Sequence, residues 1–171
     1  MSLVFTILYV VLCGIMAHVI GEALPRRWFC AERWPYAPWK WERGGAIYDK
    51  IGIRAWKDRL PDMSRVVRKM VPKRFDAFPT AEHARKLIAE TCVAEATHAV
   101  LCFVAPVIWL FWRNYVGVIL TAIVIICNLP FILIQRYNRP SLVALYGRLT
   151  AREERRRNAS TDSVRKYRRG T

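Results

Sequence analysis

Glu90, Glu95 and His98 put two carboxylates and an imidazole into the opening turns of a segment, ETCVAEATH from residue 90 to 98, that soon becomes almost purely apolar. On a helix turning roughly 100° per residue, Glu90, Thr91, Ala94, Glu95 and His98 share one arc, with Cys92, Val93, Ala96 and Ala99 outside it. The result is a polar stripe that runs into a membrane. Ionisable groups at that depth cost on the order of a few kcal/mol each, so they face a protein interior or a water-filled cavity. An imidazole flanked by acids in such a place either moves a proton or holds helices together.

Further polar groups recur downstream. Thr121, Asn128 and Gln135 are spaced by seven and so share a helical face, with Pro130 interrupting the backbone hydrogen bonds between the last two. In the bland reading they make interhelical hydrogen bonds around a proline kink; in the sharper one this stripe meets the one carrying His98. The apolar run exits in QRYNRP, residues 135 to 140, where Arg136 and Arg139 with an amide on each side form a cluster of donors suited to phosphate or carboxylate. Snorkelling arginines would have the same sequence. Near the N-terminus His18 and Glu22 are four apart on one face, a spacing that orients an imidazole but that also marks an ordinary interfacial helix end.

The elements that must position these groups follow from segregation along the chain. Residues 3–20, 96–112 and 116–134 contain no Lys, Arg, Asp or Glu, and each run approaches the roughly 20 residues that a helix needs to cross a hydrocarbon core. Hydrophobic residues make up 54% of the chain beside 28 Lys and Arg, which does not suit a soluble globule. The expected fold is therefore an all-α integral membrane domain spanning residues 1–171, with three transmembrane helices. Residues 21–91 hold 16 Lys and Arg against nine acids, residues 135–171 hold 11 against three, and the turn between the second and third spans has only Arg113. The positive-inside rule then places the loop 21–91 and the basic tail 141–171 in the cytoplasm of a multi-pass cell-membrane protein. The first span lacks a basic leader and a small-residue cleavage site, so it reads as a retained anchor.

Within the loop, Trp28, Trp34, Trp39, Trp41 and Trp56, with Phe29, Tyr36 and Tyr48, describe a chain at headgroup level. The same mixture suits a single-strand nucleic-acid platform, but apolar spans on either side favour lipid. Gly44-Gly45 permits a tight turn. Residues 64 to 73 set Val66, Val67 and Met70 against Arg65, Arg68, Lys69 and Lys73, a short amphipathic helix for an anionic leaflet. Thr80 is a candidate N-cap for a helix from Ala81 to Trp112, whose first turns project beyond the membrane. The tail after Leu142 reads as mobile or lying on headgroups. Five cysteines without CxxC spacing argue against a disulfide framework or a zinc site.

The pattern WE(x)2G at Trp41 to Gly45, Trp56-Lys57, ET(x)2AE(x)2H at Glu90 to His98, and N(x)P with QRYNRP at Asn128 to Pro140 resembles the small membrane glycosyl-diaponeurosporenoate acyltransferases. Those enzymes of staphyloxanthin biosynthesis attach a fatty acyl chain to a sugar hydroxyl of a carotenoid glycoside. The resemblance, over roughly residues 21 to 145, implies an acyl thioester donor, either acyl-CoA or an acyl carrier protein, and a lipid-linked or glycosylated acceptor. No bound cofactor and no metal are expected. Acyl transfer needs a base, donors for the oxyanion and a seat for the carrier. The expected base is His98, oriented by Glu95 or Glu90. Asn128, Gln135, Asn138 and Glu42 are expected to bind substrate or the oxyanion, and Arg136, Arg139 and Lys57 the donor phosphates. The competing expectation is a non-catalytic accessory or scaffold subunit that binds membrane lipid or a partner helix. A metal-dependent lipid-modifying enzyme lacks the His-rich spacing it needs. Three helices form a thin bundle that would enclose a site either alone or with a second copy as a homo-oligomer, and the residues favour neither.

Overall fold

The structure, a computed structural model, describes residues 3–59 and 80–169. In chain order its α-helices are α1 (Leu3–Ala23), α2 (Ala46–Lys50), α3 (Ile53–Trp56), α4 (Ala81–Val104), α5 (Ile108–Phe111) and α6 (Tyr115–Arg169). Among the described residues there is no strand, and three helical stretches are long and apolar enough to cross a membrane: Leu3–Ala23, Ala81–Phe111 and Tyr115–Thr161. The amphipathic segment expected at Ser64 to Lys73 lies outside the described residues.

Thr80 caps α4, its hydroxyl accepting from the His83 amide at 3.2 Å. A second orphan amide of that helix end, on Ala81, donates to Glu153 Oε1 at 3.1 Å. The helix expected to reach Trp112 instead breaks into a tight turn at Ala105–Val107 before resuming as α5. Pro106 has no amide hydrogen to give the Cys102 carbonyl and its ring crowds that carbonyl, which opens the ladder at this point. The carbonyls beside the break are met by side chains: Tyr9 of α1 donates to Val104 O at 3.0 Å and Thr121 of α6 to Ala105 O at 3.4 Å. In hydrocarbon such partners are obligatory, because water cannot supply them.

The tail departs further from its sequence reading. Past Pro130 and Pro140, α6 continues as one helix of 55 residues to Arg169, and of the two expectations for the tail, mobile or lying on headgroups, it is the mobile one that the helix replaces. Leu, Ala, Arg and Glu dominate the first 20 residues after Pro140, and all are good helix formers. Packing adds to propensity: Leu142 and Tyr146 cover the buried cluster of Ala31, Ile88 and Cys92, together with Phe29 and Tyr36. The α4–α6 hairpin is thus the spine of the molecule and extends past its apolar stretches. α1 lies along α4, where Gly21 lets the two backbones approach over Val93 and Thr97. Trp112 Nε1 donates to the buried Thr6 hydroxyl at 2.8 Å and fixes the other end of α1.

Candidate functional site

Four charged side chains meet where the apolar run of α6 ends. Arg136 and Arg139 are 6% and 4% exposed, Glu42 2% and Glu95 7%. Arg136 Nε donates to Glu42 Oε1 at 2.5 Å and its Nη1 to Glu95 Oε1 at 2.6 Å. Arg139 Nη2 donates to the other oxygen of Glu95. Two positive and two negative charges therefore cancel in place, which is the condition for burying any of them.

The remaining guanidinium hydrogens tie down the loop. Arg136 donates to the carbonyls of Pro35 and Ala37, both at 3.1 Å, and Arg139 to that of Tyr36 at 2.7 Å. Arg139 Nε also reaches the Thr91 hydroxyl at 3.0 Å and its Nη2 the Thr91 carbonyl at 3.3 Å. The Trp39 and Tyr36 rings lie 4.6 and 5.6 Å from the Arg136 and Arg139 guanidinium carbons, adding cation–π contact. These arginines do not snorkel to an interface.

The residues between them dock the second half of the loop. Tyr137 packs edge-on against buried Tyr48, accepts from Arg54 Nε at 2.9 Å and lies under the Lys57 ammonium at 5.1 Å. Asn138 Oδ1 accepts from Lys57 at 3.4 Å. The turn that brings Glu42 inward depends on a left-handed backbone at Arg43, Gly44 and Gly45, with φ of 47°, 66° and 99°. Tyr48 sits beside the Glu42 carboxylate and the Arg136 guanidinium, its hydroxyl making no hydrogen bond of regular geometry among the described residues. Burial first, and then the Glu42 charge, push its phenol up to about 12.

His98 is placed differently from the sequence reading. Its Nδ1 lies 2.8 Å from Asn128 Oδ1, and its ring stacks on Phe131 at 4.5 Å. Of the two expected acids, Glu95 turns both oxygens to the arginines, and Glu90 takes Arg26 Nε at 2.6 Å. Guanidiniums outcompete an imidazole here because they are permanently charged and bidentate. Glu22, expected with His18, likewise pairs with Arg26 at 3.3 Å. Asn128 is an orienting group, since its amide nitrogen donates to Val124 O at 2.8 Å and its oxygen is left for the imidazole. Gln135, seven residues on, is 4% exposed.

A cleft of about 350 Å³ opens over the charged cluster. Glu42, Arg136 and Arg139 floor it, and Tyr36, Pro38, Val143 and Ala144 give it apolar walls. An apolar pocket of this size with a few convergent polar groups is what a small-ligand site needs. Sequence reasoning named Glu42 and both arginines but missed their mutual pairing. It also missed the wall residues, whose only signal was their nearness in sequence to the motif.

The family model for glycosyl-4,4'-diaponeurosporenoate acyltransferase matches residues 26–148, which include every member of the charged cluster and the His98–Asn128 pair. A protein of that name from Staphylococcus haemolyticus (strain JCSC1435) is 35% identical over 118 residues, 68% of this chain and 68% of its own length. Another, from Staphylococcus aureus (strain bovine RF122 / ET3-1), is 28% identical over 142 residues, covering 80% of this chain and 82% of the relative. No solved structure matches.

Proposed function

The chain belongs to the glycosyl-4,4'-diaponeurosporenoate acyltransferase family, and on that premise we propose that it moves a fatty acyl group from an acyl thioester to a sugar hydroxyl of a glycosylated isoprenoid lipid. The observation that carries this reading is the family match over the same residues that build the cleft and its charged floor. The loop and the C-terminal part of α6 face the cytoplasm in this reading, supported by their excess of Lys and Arg. The thioester then arrives from the cytoplasm, and the lipid acceptor through the bilayer.

In the reaction the acceptor oxygen attacks the thioester carbonyl, the carbon–oxygen bond forms and the carbon–sulfur bond breaks. The hydroxyl proton passes to His98 Nε2 and from there to the departing thiolate. Asn128 suits His98 to that work. Because its oxygen accepts from Nδ1–H, the second ring nitrogen carries the lone pair. His98 does not itself line the cleft; it follows Glu95, a member of the charged cluster beneath the cleft, by three residues, about 4.5 Å along α4.

Arg136 and Arg139 each commit four of their five N–H groups to partners among the described residues. Their remaining hydrogens, with Gln135, are the donors for the developing oxyanion. Lys57 and Asn138, linked at the edge of the same motif, take the phosphate side of the donor. The test is direct. Protein reconstituted in nanodiscs receives labelled acyl-CoA or acylated carrier protein together with a glycosylated isoprenoid. A new sugar ester in the lipid mass spectrum is expected, and its absence with both donors overturns the reading.

A further inference from the structure

Beyond the cleft, one face of α6 carries a stripe of exposed arginines, and Arg157 stands on the opposite face. Arg148, Arg152, Arg155 and Arg156 are all exposed. Lying four, seven and eight residues after Arg148, the last three share with it an arc of about 100°. Glu153 and Glu154 fall outside that arc, and Glu153 is turned to the Ala81 amide of α4 at 3.1 Å. The stripe begins one turn after Ala144, which walls the cleft, and Arg148 Nε donates back to the Ala144 carbonyl at 3.3 Å.

Three groups of anions could meet such a surface, and geometry separates them. Lipid headgroups belong near the end of the apolar run at residue 134. Arg148 to Arg156 follow it by 14 to 22 residues, about 21 to 33 Å along the helix axis. Screening reduces attraction between exposed charges beyond about 8 Å at physiological salt, so most of the stripe is outside the headgroup field. A free nucleotide phosphate needs donors that converge in a concavity, whereas these arginines stand on the convex face of a single helix. What fits is a row of carboxylates on a folded partner, spread over about 12 Å, the length of the stripe.

We infer that the Arg148, Arg152, Arg155 and Arg156 stripe docks an acidic carrier protein that delivers the acyl group as a thioester on its flexible arm. The inference rests on the acyl-transfer reading and names its donor. Docking there leaves the carried thioester beside the cleft wall at Ala144, while the stripe itself takes no part in the chemistry. Charge pairing of this kind sets the rate of encounter and the choice of partner.

The test measures binding apart from turnover. Wild-type protein and an R148E/R152E/R155E/R156E variant are reconstituted in nanodiscs of zwitterionic lipid, with circular dichroism confirming equal helicity. A purified acyl carrier protein carrying a myristoyl group is titrated against both at low and physiological salt. The expected result is salt-sensitive binding to wild type that weakens at least tenfold in the variant, with transfer from myristoyl-CoA the same in both. Equal carrier binding by the two proteins, or none to wild type, overturns the inference. So does a variant that loses affinity only for vesicles containing anionic lipid. Stripe-dependent carrier binding without transfer from any donor sustains the docking surface and overturns the acyl-transfer reading instead.

Discussion

Asn128 holds His98 through a single carbonyl oxygen, 2.8 Å from Nδ1, while its own amide nitrogen is committed to Val124 O. That second bond fixes which end of the amide faces the ring, and the ring tautomer follows. Asn128 is a neutral orienting group for the imidazole, and both oxygens of Glu95 serve the arginines. Removing the base with His98→Ala is expected to lower kcat by about 10²–10⁴-fold, the usual range for a general base. Asn128→Leu keeps the ring and releases its tautomer, so a smaller fall in kcat at unchanged donor KM is expected. Steady-state kinetics on both variants checks this, and wild-type rates for His98→Ala would remove the assignment.

Tyr48 gives a pH signature to the loop. Its folded pKa stands near 12, above the ordinary value of 10, because burial and then Glu42 disfavour the phenolate. The neutral phenol therefore contributes stability that is fully present below pH 10 and is lost as pH rises through 12. Thermal melts between pH 9 and 12 should show wild type losing stability more steeply than Tyr48→Phe. Parallel slopes for the two proteins would count against the burial of this hydroxyl beside Glu42.

Gly117 lies where α6 turns away from α5. A Cβ there would sit 2.1 Å from the Trp112 carbonyl oxygen, a backbone atom that cannot rotate aside. Gly117→Ala should therefore destabilise by about 1–3 kcal/mol, as overpacked sites do, despite the better helix propensity of alanine. The matched control is Gly147→Ala, whose Cβ meets nothing within 4 Å. In melts of the detergent-solubilised protein the first variant is expected to fall below wild type and the second to equal or exceed it.

Hydropathy made the three apolar helices legible, because length and the absence of charge are properties of a run of residues. Thr80 was equally legible, since an N-cap is a local signal. The partners of the polar groups were not. Glu95 shares a helical face with His98, and periodicity alone pairs them. Which of the available cations takes Glu95 depends on the approach of α6, which brings two guanidiniums to it from 41 and 44 residues away. The Trp-rich loop shows the same limit: its exposed Trp28 and Trp34 suit the headgroup level read from the sequence, but how it is held to the helices was not legible. Its aromatic content is visible in the sequence, but its attachment runs through the backbone carbonyls of Pro35, Tyr36 and Ala37, which no side-chain pattern reports.

The charged floor of the cleft is expected to behave as one unit. Glu42→Ala leaves Arg136 and Arg139 sharing the single carboxylate of Glu95, one positive charge in excess at a buried site, and Arg136→Ala strips Glu42 of its guanidinium partner, so each alone should cost about 3–5 kcal/mol. The double variant removes both charges together and spares the second penalty. Its destabilisation should therefore fall short of the sum of the two by about 0.5–3 kcal/mol, the range for directly coupled residues. Arg136→Lys tests geometry rather than charge. A single ammonium cannot span Glu42, Glu95 and two loop carbonyls, so the conservative change should loosen the loop and lower activity while keeping the cluster neutral. Denaturation of the wild type and the four variants in one detergent, with limited proteolysis of the loop as a second readout, decides the matter. Strict additivity of the two alanine variants would mean that Glu42 and Arg136 are stabilised separately and that the cleft floor is not a neutral cluster.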